Sequence, residues 1–148
     1  MILFHNHNTA IKLCNRRAIK RWISAVLNNY ERIPADINII FCDSQYLLEM
    51  NKKFLNHDYY TDVITFPYSE PDNKEISGDI FIDVETVKSN AVKFKQSFED
   101  EKLRVIIHGI LHLAGENDIT KEQKEKMRKA EDRALQILAR TQNNEISL

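Results

Sequence analysis

Two histidines spaced four residues apart, followed by a glycine and an aspartate, form the part of the sequence best suited to metal chemistry. His108 and His112 lie in the stretch HGILHLAGEND, where helical spacing makes their imidazoles neighbours that can reach one ion. Gly115 can take the left-handed conformation that ends a helix and turns the chain back, which brings Asp118 towards the pair. We therefore predict a metal site formed by His108, His112 and Asp118, with one coordination position open for water, as in catalytic zinc sites.

The alternative is a cluster of core histidines held by hydrogen bonds, because a buried imidazole needs a polar partner whether or not a metal is present. The residue after the first histidine argues against a metalloprotease. A metalloprotease of the H-E-x-x-H kind has its general base there, and this chain has Gly109. A bound ion alone can still polarise a phosphoryl oxygen and acidify a water. Glycine also costs about 1 kcal/mol relative to alanine inside a helix, so we expect another backbone or a substrate to approach Gly109 closely.

The helix that carries the histidines is expected to lie in the core. From Glu101 to Ala114 it is apolar on nearly every side, which is typical of a buried helix. Four of its polar residues fall on one stripe: Glu101, Arg104, His108 and His112.

The order of the other elements predicts an α+β fold. Short stretches rich in isoleucine and phenylalanine come early and predict four strands, whereas the second half is helical. We expect one domain over residues 1–140, with a small four-stranded mixed sheet packed by helices, and a polar tail over residues 141–148. Capping patterns predict helix starts at Asn15, Asp43 or Ser44, Ser97 and Thr120.

The composition excludes several classes of protein. Of the 148 residues, 43% are hydrophobic and 29% are charged, as in ordinary globular proteins. The net charge of −1 gives no general attraction to nucleic acid, so RNA binding would need a local patch. Two cysteines are too few for a disulfide framework. We see neither a signal peptide nor a membrane span, so we predict a cytoplasmic protein without membrane association. We also expect no organic cofactor.

Several other polar residues have two possible interpretations. Four cations on the first predicted helix could follow a phosphate backbone or form a solvated face: Arg16, Arg17, Lys20 and Arg21. Asp62 is interpreted as a structural residue at a strand end rather than a support for the site. The remaining candidates have weaker signals: His5 and His7 as an edge-strand pair, His57 and Asp58 in a loop, and Cys14 and Cys42 as packed thiols.

Three ordered motifs resemble those of the YbeY family of bacterial rRNA maturation factors and endoribonucleases. The family signature H-G-x-L-H-L-x-G-x-D-H is matched from His108 to Asp118, apart from its last two positions. Residues 61–67, TDVITFP, resemble a second family segment, and Gly78 to Ile80 match its G-D-I. The resemblance covers nearly the whole chain. It implies a metal-dependent endoribonuclease, with zinc the expected ion, that matures the 3′ end of small-subunit rRNA and acts in ribosome biogenesis and quality control.

The chain departs from this family at two places. Asp118 stands where the family has a third histidine, and Asn117 stands where it usually has aspartate. An anionic ligand in place of a neutral one lowers the charge of the site, which predicts a less acidic bound water and greater tolerance for harder metals. Leu55 occupies the position of a family arginine implicated in RNA cleavage, with Lys52 and Lys53 the nearest cations.

Leu55 keeps a second hypothesis open, namely a non-catalytic RNA-binding assembly factor with a structural metal. The general base is not apparent in either case, although Glu116 lies close enough to the metal motif to be a candidate for substitution.

Overall fold

A four-stranded mixed sheet forms the centre of the fold. The computed structural model describes residues 1–55, 61–70 and 72–146, with side chains up to Thr141. Its strands are β1 (Ile2–His7), β2 (Ile33–Cys42), β3 (Val63–Pro67) and β4 (Glu75–Asp83), in the order β1-β2-β4-β3. β1, β2 and β4 run parallel, and β3 pairs antiparallel with β4 as a hairpin. The predicted α+β fold with a four-stranded mixed sheet is therefore confirmed.

Five helices pack around this sheet. They are α1 (Arg16–Asn29), α2 (Ser44–Phe54), α3 (Val84–Lys93), α4 (Phe98–Leu113) and α5 (Lys121–Ile146). Side chains cap three of them at the predicted places: Asp43 accepts from Tyr46 N, Ser97 from Asp100 N, and Thr120 exchanges hydrogen bonds with Gln123. α5 continues through Ile146, into the segment for which a tail was expected. None of the helices, over the residues described, is long and apolar enough to cross a membrane.

The main core lies between one face of the sheet and the helices α1, α4 and α5. Five fully buried isoleucines of β2 and β4 pack there against Ile106, Ile107 and Ile110 of α4, which are also fully buried: Ile37, Ile39, Ile76, Ile80 and Ile82. A smaller cluster lies on the opposite face, where α2 covers part of the sheet through Leu47 and Met50. The central position predicted for α4 is confirmed, and α4 is the element that presents the histidines.

Gly109 determines how closely α4 approaches the sheet. A Cβ atom at this position would lie 2.7 Å from Cγ2 of Ile80 on β4. The close neighbour is therefore a side chain, and not the backbone or substrate that the sequence led us to expect. Since Ile80 is β-branched and fully buried, it has little freedom to move away.

Candidate metal centre

The histidine pair lies on the partly exposed stripe of α4, as predicted. Nε2 of His108 and Nε2 of His112 are 3.0 Å apart, and the two rings meet edge to face. The rest of the helix surface is packed in the core, so the backbone that carries both imidazoles is held rigidly.

A tight turn after α4 brings the third side chain to the pair. Gly115 has a φ of 104°, in the left-handed region. Its N–H donates to His112 O, and the N–H of Glu116 donates to Leu111 O, which together form a Schellman motif. Oδ2 of Asp118 then lies 3.3 Å from Nε2 of His108 and 3.4 Å from Nε2 of His112. The predicted left-handed turn is confirmed, and the three residues of the predicted metal site lie together.

The spacing of the three atoms suits one ion. Tetrahedral zinc with bonds of roughly 2.0–2.1 Å has ligand atoms about 3.3 Å apart, and the three separations here are 3.0, 3.3 and 3.4 Å. Three ligands leave a fourth position for water or substrate, because the group is only partly buried.

The hydrogen bonds made by Nδ1 of each ring leave the Nε2 atoms of His108 and His112 free to accept. Nδ1 of His112 lies 2.9 Å from the backbone oxygen of Glu116, which can only accept, so this nitrogen carries the proton. Nδ1 of His108 lies 2.7 Å from the carboxylate of Glu131 and also donates. In the neutral rings both Nε2 atoms are therefore unprotonated. Two lone pairs and a carboxylate oxygen converge on one point, and a bound cation would satisfy all three.

Glu131 contacts the candidate metal centre but was not predicted from the sequence. It lies on α5, 23 residues after His108, and it is buried. Its other oxygen accepts from Arg104 Nη1 at 2.8 Å, and Arg104 Nη2 donates to Asp132 at 2.7 Å. A carboxylate behind a ligating histidine fixes the orientation and tautomer of the ring. A signal was present, because Glu131 is an acidic residue on the apolar side of α5, among Met127, Ala130, Ala134 and Leu138.

The charges around the site shift the pKa values of its groups in different directions. Burial lowers the pKa of His108, but the hydrogen bond and charge of Glu131, with Asp62 and Asp118, outweigh it and raise this pKa above its usual value. Burial and the neighbouring His108 lower the pKa of His112. Burial also raises the pKa of the Asp62 carboxyl, against a smaller opposing effect of His108.

The metal centre opens into a pocket of about 270 Å³, which we call the metal pocket. Its walls come from the end of α2, from the start of β3 and from the centre itself: Asn51, Leu55, Thr61, Asp62, Val63, Ile64, Thr65, His108, His112 and Asp118. Asp62 lies at the strand end, as interpreted, and it also lines the metal pocket. Its backbone oxygen extends the pairing with β4 by accepting from Asp83 N at 2.9 Å, and its side chain lines the metal pocket.

Leu55 lines the metal pocket at the position of the family arginine. Among the described lining residues there is no lysine or arginine. A phosphate bound in this part of the pocket would therefore depend on the metal for charge neutralisation.

The other candidate residues lie elsewhere. β1 is an edge strand, which confirms that interpretation of His5 and His7, and His7 stacks on Tyr46 with ring centroids 3.9 Å apart. Cys42 is buried as predicted, but the prediction for Cys14 is wrong, because it is exposed in the loop before α1 while its neighbour Leu13 packs in the core.

Two of the weaker predictions remain without a test. Arg16, Arg17 and Arg21 are exposed and Lys20 is half-buried, and nothing in the structure distinguishes RNA contact from a solvated face for these cations. His57 and Asp58 lie outside the described residues.

Fold and site together define a class of protein: an α+β domain with a candidate metal centre in an open pocket, as expected of a metal-dependent hydrolase. Comparison with known proteins identifies the family. The YbeY family model, described as endoribonuclease YbeY, matches residues 3–139. This chain belongs to the YbeY family of endoribonucleases, as its motifs predicted.

Individual relatives agree with this assignment. The endoribonuclease YbeY of Porphyromonas gingivalis W83 is 43% identical over 99% of this chain and 96% of its own length. That of Bacteroides fragilis ATCC 25285 is 48% identical over 81% and 85%, respectively. Among solved structures, the solution structure of TM1509 from Thermotoga maritima has a TM-score of 0.61 and 30% identity, covering 95% of this chain and 93% of that one.

Proposed function

We propose that the chain is a metal-dependent endoribonuclease that cleaves RNA at the centre formed by His108, His112 and Asp118. The observation that carries this proposal is the convergence of three acceptor atoms 3.0–3.4 Å apart at the base of an open pocket. Zinc is the expected ion, because two imidazoles and one carboxylate with an open position form a ligand set typical of catalytic zinc. When bound, a divalent ion supplies a Lewis acid for the phosphoryl oxygen and lowers the pKa of a water.

The side chains around the ion have separate tasks. Nε2 of His108 and Nε2 of His112 hold the ion together with the Asp118 carboxylate. Glu131 keeps the proton of His108 on Nδ1, so that Nε2 stays free for the metal. The biological substrate that we propose is the 3′ region of small-subunit rRNA, which would place the protein in ribosome biogenesis and quality control. The names of the relatives favour this enzymatic role over a non-catalytic assembly factor.

Asp62 is the residue in the metal pocket that we propose as the proton acceptor. Asp62 lines the pocket with His108, and burial raises the pKa of its carboxyl above the usual value, which makes it a stronger base than an ordinary carboxylate. It would take the proton released by the attacking hydroxyl or water. We expect Asp62→Asn to lower kcat by roughly 10²- to 10⁴-fold without changing the metal content. The control is Asp72→Asn, which should have no effect because Asp72 is exposed in the β3–β4 loop. Full activity in Asp62→Asn would exclude this role.

The activity itself is tested on single-stranded RNA with purified protein. Wild-type protein should cleave the RNA, lose this activity after chelation and recover it when zinc or manganese is added. His108→Ala should be inactive with any metal, while His7→Ala, which changes a histidine of β1, should remain active. Cleavage that survives both chelation and His108→Ala would refute the proposal.

A further inference from the structure

The face of the sheet opposite the main core is only partly covered. On this face a chain of hydrogen bonds links β1, β2 and β4 to the residue after β3. His5 Nε2 donates to Asn38 Oδ1 at 3.0 Å, and Asn38 Nδ2 donates to Asp79 Oδ1 at 3.1 Å. The hydroxyl of Tyr68, just after β3, donates to Asp79 Oδ2 at 2.6 Å. These hydrogen bonds orient Asp79 and Tyr68 on this face of the sheet.

An aromatic cleft of about 180 Å³ lies at the β3 end of this face. Phe66 forms its base, packed edge to face against Phe54 and Phe81 with ring centroids 6.0 and 5.8 Å apart. Two rings in its walls are largely exposed, Phe54 by 57% and Tyr68 by 67%. Exposed aromatic rings around a small cleft are unusual on a surface that has no partner.

The aromatic cleft and the metal pocket are lined by neighbouring residues of the same two elements. Phe54, the last residue of α2, lines the cleft, and Leu55, which follows it, lines the metal pocket. β3 does the same, because successive residues of a strand point to opposite faces: Thr65 lines the metal pocket, and Phe66 lines the cleft. Since β3 is an edge strand of the sheet, an RNA strand bound in the metal pocket would reach the cleft by passing over β3.

We propose that the aromatic cleft binds one base of the single-stranded RNA substrate, close to the cleavage site. The identity of this ligand rests on the proposed ribonuclease function. Unstacked bases bind to exposed aromatic rings, and this stacking is the usual basis of single-strand recognition. Nζ of Lys53 lies 5.3 Å from the Phe54 ring centroid, which places a positive charge at the rim, near the path of the RNA backbone.

Asp79 gives the cleft a preference among bases. Each of its carboxylate oxygens accepts one hydrogen bond from the protein, which leaves lone pairs for further donors. An exocyclic amino group of a base can donate to them, whereas uracil has no such group. The cleft should therefore bind cytosine more tightly than uracil, since these two bases have the same ring size.

The test uses short single-stranded RNAs that carry one 2-aminopurine, moved stepwise along the sequence, with fluorescence quenching as the readout of stacking. Wild-type protein should quench the probe at one position more than at any other. Phe54→Ala and Tyr68→Ala should remove this quenching and weaken RNA binding at least fivefold, while Tyr68→Phe, which keeps the ring, should retain it. Phe94→Ala is the control, because Phe94 is 53% exposed at the end of α3, away from the cleft.

Two substitutions in the RNA complete the test. An abasic nucleotide at the quenched position should remove the difference between wild type and Tyr68→Ala, and uracil in place of cytosine there should weaken binding to wild type. Uniform quenching along the RNA, or unchanged binding by Tyr68→Ala, would overturn the proposal and leave this face to a protein partner. Binding is measured independently of cleavage, so RNA that is bound at the cleft but not cut would refute the proposed function alone.

Discussion

Replacing Glu131 by glutamine tests how far the metal centre depends on the residue behind it. The carboxylate accepts from Nδ1 of His108 on one oxygen and from Arg104 on the other, and its side chain is only 8% exposed. Glutamine keeps the shape but has one acceptor oxygen and one NH2 donor. It can satisfy His108 or Arg104 but not both, and the buried negative charge is lost.

The expected loss in metal affinity follows from this geometry. Removing the outer partner of a ligating histidine typically weakens metal binding 10- to 100-fold, which is about 1.4–2.8 kcal/mol. The assay is a competition titration of metal-free protein with zinc and a chromogenic chelator at pH 8. Glu125→Gln, which removes the same charge from an exposed position of α5, should change the dissociation constant by less than twofold. A dissociation constant for Glu131→Gln within twofold of wild type would refute the reasoning.

The same substitution has a consequence for pH dependence. In the metal-free protein Glu131 is the main reason why the pKa of His108 lies above its usual value, so in Glu131→Gln burial should dominate and lower that pKa. Because the wild-type pKa is raised, protonated His108 stabilises the metal-free fold below about pH 6.5, and this contribution is lost as the pH rises through the folded-state pKa. An NMR titration of both proteins measures the shift, and equal pKa values of His108 would contradict the assignment of Glu131.

The remaining predictions concern packing, the buried thiol and the unusual ligand. Gly109→Ala should destabilise the fold by about 1–2 kcal/mol in denaturant titrations, since overpacking against Ile80 exceeds the gain in helix propensity. An increase of about 1 kcal/mol in the free energy of unfolding would contradict this, because it would mean that α4 shifts to accommodate the methyl group without cost. At pH 8 iodoacetamide should label Cys14 but not Cys42, because burial raises the pKa of Cys42 to about 12. Labelling of both thiols in the native state would contradict this. Because the folded protein favours the neutral thiol of Cys42, the free energy of unfolding should fall between about pH 9 and 12, and it should fall less in Cys42→Ala. Asp118→His should increase the preference for zinc over manganese in paired titrations, and an unchanged ratio would show that the carboxylate does not set it.

The grouping of His108, His112 and Asp118 could be predicted from the sequence because it depends on local structure. The spacing of His108 and His112, the left-handed turn at Gly115 and the short return to Asp118 lie within eleven residues, and backbone geometry alone brings them together. The fold class could be predicted for a similar reason, since the periodicity of each element is also local.

What could not be predicted depends on contacts between distant elements. Glu131 reaches His108 only because α5 packs beside α4, and a buried acid on α5 does not reveal by itself which residue it faces. The neighbour of Gly109 is likewise set by how α4 lies on β4, so the glycine was noticed but its cause was not. The aromatic cleft is formed by residues of α2, β3 and β4 and by Tyr68. The sequence does not determine the order of the strands in the sheet, so it does not show that these elements meet.

The most direct test of the central claim is elemental analysis of protein purified without added metal, together with the His112→Ala variant. We expect wild-type protein to retain close to one divalent ion per chain, and His112→Ala to retain almost none while keeping its helical circular dichroism. Wild-type protein that neither carries an ion nor binds added zinc, or a variant that retains as much metal as wild type, would contradict a centre formed by His108, His112 and Asp118.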